Sequence, residues 1–218
     1  MRIACVGYRN WALNIYDRLA ASTDHTFLIF RSKAQFNKEA LSDFKPDLVL
    51  FYGWSWLVPT DLLERHTCLM LHPSPLPRYR GGSPIQNQII AGETYSKVTL
   101  FIMTDALDAG DIVGQSDLSL IGTIDEIFKR IEDEGVKLTR HILEDGLQRE
   151  QQDHSAATFC KRRKPSESEI TAEELATKPA EYLYNKIRML ADPYPNAYII
   201  AADGKKLIIT AAHIERVI

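Results

Sequence analysis

The segment CLMLHPSPLPRYRGGSP, residues 68–84, joins a strand-length apolar run to a loop that contains four prolines and two glycines. Prolines restrict the backbone, whereas Gly81 and Gly82 allow a ligand to approach it closely. His72 stands where the run meets the loop, and a rigid mount of this kind suits an imidazole that moves protons or polarises a carbonyl. The alternative is a proline-rich loop that only covers the edge of a sheet.

Three more apolar runs precede this segment and predict strands: RIACVGY, HTFLIF and DLVLFYG. Amphipathic or polar stretches separate them, and strands that alternate with helices are typical of an α/β fold with a mostly parallel sheet. In such sheets ligands bind beyond the carboxyl ends of the strands. Two unusual loops begin at such ends, GWSW after the third strand and HPSPLPRYRGG after the fourth, so we expect the functional site there.

The middle of the chain predicts a short helix, two strands and a long helix. Ser83 and Pro84 suit the first turn of a helix over PIQNQIIAG, and the strand-like runs KVTLFIMT and IVGQSDLSL flank the loop DALDAGD. Apolar residues at helical spacing then predict a long amphipathic helix over residues 123–143, with Gly146 placed where it should stop.

The composition becomes polar between residues 149 and 169, where the basic cluster CKRRKP precedes SESE. We therefore predict a catalytic domain over residues 1–150, followed by a linker and a small C-terminal unit over residues 151–218. That unit should contain a helix, a turn at ADPYPN and a β-hairpin, AYIIAADGKKLIITAA, that turns at Asp203-Gly204.

The bulk composition limits the classes of partner. The chain has 218 residues, 45% of them hydrophobic, and a net charge of −3, so binding of nucleic acid would need a local basic patch. Its three cysteines are far apart, which indicates neither a disulfide framework nor a zinc motif and favours the reducing cytoplasm. The opening MRIACVGY is too short for a signal-peptide core or a membrane span.

The loop TDALDAGDI carries three acidic residues. Asp105, Asp108 and Asp111 do not reproduce the pattern of a calcium loop, so we predict no metal site. A carboxylate that orients or protonates His72 is the functional interpretation. The alternative, a solvated turn between two strands, accounts for Asp105 and Asp111 but not for Asp108 in particular.

Two other groups of residues have a functional and a structural interpretation. The cluster Lys161–Lys164 either holds phosphate, for which arginine forks are suited, or forms a solvated linker. Trp54 and Trp56 either stack on a flat heterocycle or belong to the core. These alternatives stay open at the level of sequence.

The segments LHPSPLPRYRGGSPIQ and AGETYSKVTLFIMTDALDAGDIVGQ resemble the formyltransferases that use N10-formyltetrahydrofolate. The pattern of that family is a strand ending in Asn-x-His, a proline-rich loop ending in Y-R-G, and a later Asp-x-Gly loop. The resemblance implies a Rossmann-like domain with His72 and Asp108 as its catalytic residues. His72 would stabilise the oxyanion or manage its proton, and Asp108 would orient His72 and move the proton of the acceptor amine.

The resemblance also implies where two substrates bind. The expected co-substrate, N10-formyltetrahydrofolate, would contact two loops, at Trp54, Ser55, Trp56, Leu57, Val58, Thr104, Asp105, Ala106, Leu107 and Asp108. Contacts to the acceptor are expected at Ser74, Arg78, Arg80, Gln86, Arg162 and Arg163.

The segments CKRRKPSESEI and KIRMLADPYPNAYII resemble the part that follows the catalytic domain in nucleotide-sugar formyltransferases. Methionyl-tRNA enzymes share a version of it but continue into a β-barrel domain, for which the remaining chain is too short. The negative net charge also disfavours tRNA. We therefore expect a nucleotide-linked amino sugar as acceptor, no nucleic acid or membrane partner, and a homodimer through the C-terminal unit.

One position departs from the family pattern. Two residues before His72 the family has an Asn whose amide donates to the developing oxyanion, and here Met70 cannot donate. Three interpretations follow: another donor replaces it, the enzyme is slow or specialised, or the chain has kept binding and lost catalysis. Formylation of another amine, such as methionyl-tRNA, is the rival activity.

Overall fold

The computed structural model describes residues 1–191 and 194–215. In the described part of the chain, ten strands and seven α-helices follow in this order: β1 Arg2–Val6, α1 Asn10–Ser22, β2 Thr26–Phe30, α2 Lys38–Phe44, β3 Leu48–Tyr52, α3 Thr60–Arg65, β4 Cys68–His72, β5 Arg80–Gly81, α4 Pro84–Ile90, β6 Tyr95–Ile102, β7 Ile112–Ser119, α5 Ile124–Asp145, β8 Phe159–Cys160, α6 Ala172–Thr177, α7 Ala180–Arg188, β9 Ala197–Ile200 and β10 Lys206–Ile209.

The central sheet has six strands in the order β2-β1-β3-β4-β6-β7. The first four are parallel, and β6 and β7 add antiparallel pairs at one side. This confirms the predicted α/β class with a mostly parallel sheet. The loops after β3 and β4 leave the same edge of the sheet, because both strands run in the same direction.

Apolar side chains cover both faces of the sheet. One cluster joins α1, α4, α5 and the C-terminal helix α7 to the sheet, and a smaller one joins α2 and α3 to its other face. β3 is buried throughout, as expected of a central strand with helices on both sides. The sheet is therefore a rigid support for the loops at its edge.

The local signals predicted several helix ends correctly. Thr123 and Glu126 form a capping box at the start of α5, and Gly146 caps its end at φ +86°. Pro84 occupies the first turn of α4, but the Ser83 hydroxyl accepts a hydrogen bond from the Arg163 amide rather than capping that helix.

Residues after position 150 pack against the earlier part of the chain. β8 pairs with β5 next to the proline-rich loop, and Ile170, Ile187 and Met189 join the main apolar cluster. The predicted helix and hairpin are present as α7 and β9–β10, whereas β8 and α6 lacked a clear sequence signal. The predicted turn at ADPYPN includes Asp192 and Pro193, which lie outside the described residues. The division at residue 150 stays a prediction.

None of the helices in the described ranges is both long and apolar enough to cross a membrane.

Candidate active site

His72 is the last residue of β4, and its side chain is 5% exposed. Its Nε2 lies 2.8 Å from the Tyr79 carbonyl oxygen, which can only accept a hydrogen bond, so Nε2 carries a proton. The Tyr79 backbone has φ +59°, and its amide donates to the Thr158 hydroxyl at 2.8 Å. In the neutral ring, Nδ1 therefore has the free lone pair.

Asp108 faces that free nitrogen. Its Oδ2 lies 3.7 Å from His72 Nδ1, outside hydrogen-bond distance, and accepts a hydrogen bond from the Gly81 amide at 2.7 Å. Asp108 is 9% exposed and has φ +48°, a backbone conformation that non-glycine residues rarely adopt. The structure thus brings together the imidazole and the one carboxylate of this loop that the sequence singled out.

Buried polar side chains surround the backbone of Asp108. Arg80, 4% exposed, donates from Nε and Nη2 to the Gln152 Oε1 at 3.1 and 2.6 Å. Gln152 Nε2 donates in turn to the carbonyl oxygens of Asp108 at 3.0 Å and Gly110 at 2.7 Å. Arg80 Nη2 also contacts His154 Nδ1 at 3.0 Å, where the imidazole nitrogen accepts. Burial lowers the pKa of Arg80, and the nearby Asp108 charge opposes this effect.

A cavity of about 880 Å³ opens beside His72. One end is bounded by the loop after β3 and the loop between β6 and β7, with Met70 between them. Here Trp54 and Trp56 contact each other at a ring-centroid distance of 4.6 Å, and Tyr8 packs on Trp56 at 4.8 Å. The Tyr8 hydroxyl lies 2.8 Å from the Ser55 hydroxyl, which ties this aromatic wall to the loop. We call this region the aromatic end.

The cavity wall also includes Arg9, Trp11, Gln86, Arg162 and Tyr194, and we call this part the cationic end. Arg9 joins it to the aromatic end, because its guanidinium lies 4.7 Å from the centroid of the Tyr8 ring. Gln86 is 2% exposed, and neither atom of its amide has a geometrically acceptable hydrogen bond to a residue that the structure describes. Arg9 lies over the Tyr194 ring at 5.5 Å. Burial raises the pKa of the Tyr194 hydroxyl, while the Gln86 amide beside it and the charges of Arg9 and Arg162 oppose that rise.

The expected folate contacts lie together. All ten line the cavity: Trp54, Ser55, Trp56, Leu57, Val58, Thr104, Asp105, Ala106, Leu107 and Asp108. Three of them expose large apolar area at its rim, since Leu57 is 98%, Leu107 59% and Trp56 37% exposed.

The expected acceptor contacts are divided. Gln86 and Arg162 line the cavity, whereas Ser74, Arg78, Arg80 and Arg163 do not appear on its wall. The Ser74 hydroxyl donates to the Arg78 carbonyl, and Arg78 pairs with Glu93. These two groups stabilise the proline-rich loop.

Arg163 is used structurally, since its Nη2 donates to the Glu167 carbonyl at 2.9 Å. Arg162 reaches the cavity because β8 lies against the glycines after β5: a Cβ on Gly82 would fall 2.5 Å from the Arg162 Cα. The basic cluster is therefore packed on the proline-rich loop rather than being a free linker.

The family model described as formyl transferase matches residues 18–143. Methionyl-tRNA formyltransferase of Moorella thermoacetica is 34% identical over 189 residues, which are 82% of this chain and 59% of that protein. The chain belongs to the formyl transferase family. The family prediction made from the loops around His72 and Asp108 is confirmed.

Solved structures extend this comparison of the formyl transferase fold. Methionyl-tRNA formyltransferase from Clostridium thermocellum superposes with a TM-score of 0.86 at 29% identity, covering 96% of this chain and 97% of that chain. HypX from Aquifex aeolicus in complex with tetrahydrofolic acid (TM-score 0.81, 20% identity, 95% of this chain and 37% of that chain) and a sugar N-formyltransferase from Shewanella sp FDAARGOS_354 (0.76, 17%, 99% of both) share the fold. The chain spans about three fifths of the Moorella relative's length.

Several residues of this formyl transferase site carried no sequence signal. Arg9 and Trp11 follow β1 at the ligand-binding edge, but the lone glycine of GYRNWA suggested only a weak dinucleotide site. Tyr194 and Gln152 come from the region assigned to the linker and C-terminal unit. Their positions beside His72 and Asp108 result from tertiary packing of distant segments.

The structure places Met70 at the position where the formyl transferase pattern has an asparagine. On β4 it is two residues from His72, so both side chains point to the same face of the sheet and both line the cavity. Its surroundings are apolar and include Trp54, Val58 and Met103. Its thioether stands where the family pattern has an amide donor.

Within the described ranges, no group of three His, Cys, Asp or Glu side chains is arranged to hold a metal ion.

Proposed function

We propose that the chain transfers a formyl group from N10-formyltetrahydrofolate to the amine of a nucleotide-linked amino sugar. The observation that carries the proposal is that His72 and Asp108 line the same cavity as the aromatic side chains Trp54 and Trp56 and the cationic side chains Arg9 and Arg162. A two-substrate transfer needs this arrangement, because donor and acceptor must meet at the same catalytic groups.

The aromatic end fits the donor. Reduced folates carry a flat bicyclic ring, and Trp54 and Trp56 offer apolar faces of matching size. Residues 104–108 line the cavity and would present backbone groups to the polar edge of such a ring. The cavity volume of about 880 Å³ is within the usual range for a ligand site and leaves room for a second substrate.

His72 and Asp108 would handle the proton of the reaction. N10-formyltetrahydrofolate supplies the formyl carbon, to which the acceptor amine forms a new C–N bond while the bond to N10 breaks. Because Tyr79 holds the Nε2 proton, the neutral His72 ring accepts the amine proton on Nδ1. The Asp108 carboxylate at 3.7 Å then stabilises the imidazolium, from which N10 of the departing tetrahydrofolate takes its proton.

The cationic end supports an anionic acceptor. Arg9 and Arg162 line it, and guanidinium groups bind phosphate oxygens well. The buried amide of Gln86 has donor and acceptor capacity that a sugar hydroxyl or an amide group would satisfy. The Shewanella sugar N-formyltransferase, which matches over its full length, has the same fold.

Methionyl-tRNA is the second candidate acceptor, favoured by the names of the sequence relatives. The net charge of −3 and the placement of only part of the basic cluster at the cavity support the small acceptor instead.

The experiment is a tetrahydrofolate-release assay with a panel of 4-amino-sugar nucleotides, with methionyl-tRNA assayed in parallel. We expect turnover with a sugar nucleotide that falls at least about 100-fold in both His72→Gln and Asp108→Asn. Turnover with methionyl-tRNA alone would contradict the proposed acceptor. Absence of all turnover, with folate binding retained in calorimetry, would identify a binding protein that has lost catalysis.

Two further expectations remain part of the proposal. The hairpin β9–β10 exposes Ile200, Leu207 and Ile208 by about half, and such apolar area supports a homodimer through the C-terminal unit. The thiols of Cys5, Cys68 and Cys160 are free, in keeping with the cytoplasmic location predicted from the sequence.

A further inference from the structure

We propose that Gln152 is a positioning residue that holds the Asp108 carboxylate beside His72. The proposal rests on the formyl transfer proposed above. It gives a role to a side chain that does not line the cavity and that lies beyond the predicted end of the catalytic domain.

The amide of Gln152 uses its full hydrogen-bonding capacity on the catalytic loops. Nε2 donates both protons, to the carbonyl oxygens of Asp108 and Gly110, and Oε1 accepts twice from Arg80. The side chain is 4% exposed, so water does not compete for these bonds. One amide thus links β5 to the loop between β6 and β7.

Asp108 needs such support because its own backbone conformation is unfavourable. At φ +48° the backbone of an aspartate has a higher conformational free energy than in the common regions of φ and ψ. Such conformations persist only where the surrounding structure fixes them. The two donations from Gln152 hold carbonyls on either side of Ala109. They fix the peptide geometry from which the Asp108 side chain projects toward His72.

The same hydrogen bonds hold Arg80 close enough to Asp108 for their charges to interact. The His72 ring and the Cys160 thiol also lie near this carboxylate. Gln152 Oε1 and His154 Nδ1 fix the Arg80 guanidinium in place. A neutral amide does this without competing with Asp108 for the positive charge.

The Gln152→Met substitution keeps the size of the side chain and removes all four bonds. Because misplacing a catalytic group by about an ångström costs on the order of 100-fold in rate, we expect kcat to fall about 100-fold. The KM for N10-formyltetrahydrofolate should rise much less than kcat falls, since the Trp54–Val58 side of the aromatic end does not contact Gln152. Gln152→Glu retains an oxygen for Arg80 but cannot donate, and we expect the same loss of kcat.

Asn185 provides a matched control. It is a buried amide, 3% exposed, whose oxygen accepts from Arg188 in α7, and it does not line the cavity. Asn185→Leu should lower the thermal unfolding midpoint and leave kcat within about threefold of the wild type. A loss of kcat in Asn185→Leu equal to that in Gln152→Met would show a general stability effect and overturn the proposal.

A spectroscopic measurement tests the hydrogen bonds of Gln152 without requiring turnover. The Gly81 amide proton donates to the Asp108 carboxylate at 2.7 Å, so it should resonate downfield and exchange slowly in the wild type. In both Gln152 variants this signal should move upfield and exchange at least about tenfold faster, with the Asn185→Leu spectrum unchanged at Gly81. An unaltered Gly81 signal, or wild-type kcat in Gln152→Glu, would refute the proposal. If no acceptor is turned over, this signal still decides the role of Gln152 separately from the transfer reaction.

Discussion

Met70 is the single residue at which this site differs in chemistry from the family pattern described above. Its thioether lines the cavity beside His72, where the family pattern supplies an amide that donates to an oxyanion. A methionine sulfur is only a weak acceptor and cannot replace that donor. One side-chain donor that remains in the cavity is the His72 ring, once Nδ1 is protonated.

The Met70→Asn substitution should therefore raise kcat. Loss of an oxyanion donor in other enzymes costs about 100- to 1,000-fold, and a gain of about tenfold is a conservative expectation for a site not shaped around the amide. The measurement is steady-state kinetics with the acceptor found active in the panel. Met70→Leu serves as the control, because it changes the shape without adding a donor. An unchanged or lower rate in Met70→Asn would show that the transition state does not use this position.

Gln86 allows a second prediction at this scale. Its buried amide has no good hydrogen-bond partner among residues 1–191 and 194–215, and it lies at the cationic end. Gln86→Met should raise the KM of the acceptor about tenfold, since one or two hydrogen bonds are lost, and leave the KM of the folate substrate unchanged. The enzyme should also be slightly more stable, because an unpaired buried amide has been removed. An equal rise in both KM values would place Gln86 outside the acceptor site.

The Glu174–Lys186 pair connects α6 and α7 at the scale of elements. The two side chains, 16% and 5% exposed, are 2.7 Å apart. Burial alone would raise the pKa of Glu174, but hydrogen bonds from Lys186, the Thr171 amide and Tyr182 outweigh it and lower this pKa. The pair stabilises the folded state above the unfolded-state pKa of about 4.3, and that contribution is lost as the pH falls through the lower folded-state value.

Glu174→Gln should lower the free energy of unfolding by about 2 kcal/mol at pH 7, because Lys186 remains buried without its carboxylate. The difference between variant and wild type should shrink as the pH is lowered from about 5 toward 3. Urea unfolding at several pH values measures this difference. If the difference were constant across that range, the carboxylate charge would not be the source of the stability.

The packing of the two segments that follow β5 and β8 depends on a glycine. A Cβ on Gly82 would lie 2.5 Å from the Arg162 Cα, and this backbone cannot give way cheaply. Gly82→Ala should separate the two segments, lower the free energy of unfolding by about 1–3 kcal/mol and reduce kcat. Gly92→Ala is the comparison, since a Cβ there has open space although its φ of +86° still disfavours alanine. Equal loss of activity in both variants would argue against a specific role of this packing.

At the scale of the whole molecule, some parts of the candidate site can be predicted from the sequence and others cannot. The ten expected folate contacts all line the cavity, because they are contiguous in two loops, 54–58 and 104–108, that follow recognisable strands, and their role stays a prediction. Tyr8, which packs on Trp56, was not predicted. The cationic end was predicted only at Gln86 and Arg162. It combines Arg9, α4 and Tyr194 from distant parts of the chain, and neither spacing nor periodicity encodes such an assembly.

The charges at the cationic end predict how the KM of the acceptor depends on salt concentration. A sugar nucleotide held by Arg9 and Arg162 neutralises about two charges, so the logarithm of its KM should rise with the logarithm of salt concentration with a slope of roughly one to two, by analogy with phosphate neutralisation in nucleic-acid binding. Measurements of KM between 50 and 300 mM KCl, roughly the range over which such screening is strong, provide the slope. A slope near six or more would indicate a polyanionic acceptor such as tRNA.

The packing of β8 on β5 also fixes when the site can first work during synthesis. His72 and Asp108 leave the ribosome early, but Gln152, Thr158 and Arg162 follow much later in the chain. At ordinary elongation rates the interval between Asp108 and Arg162 is roughly three to eleven seconds. For that time the nascent protein carries its imidazole and its carboxylate on loops without their later supports. Until Arg162 has left the ribosome, the proposed acceptor site is incomplete.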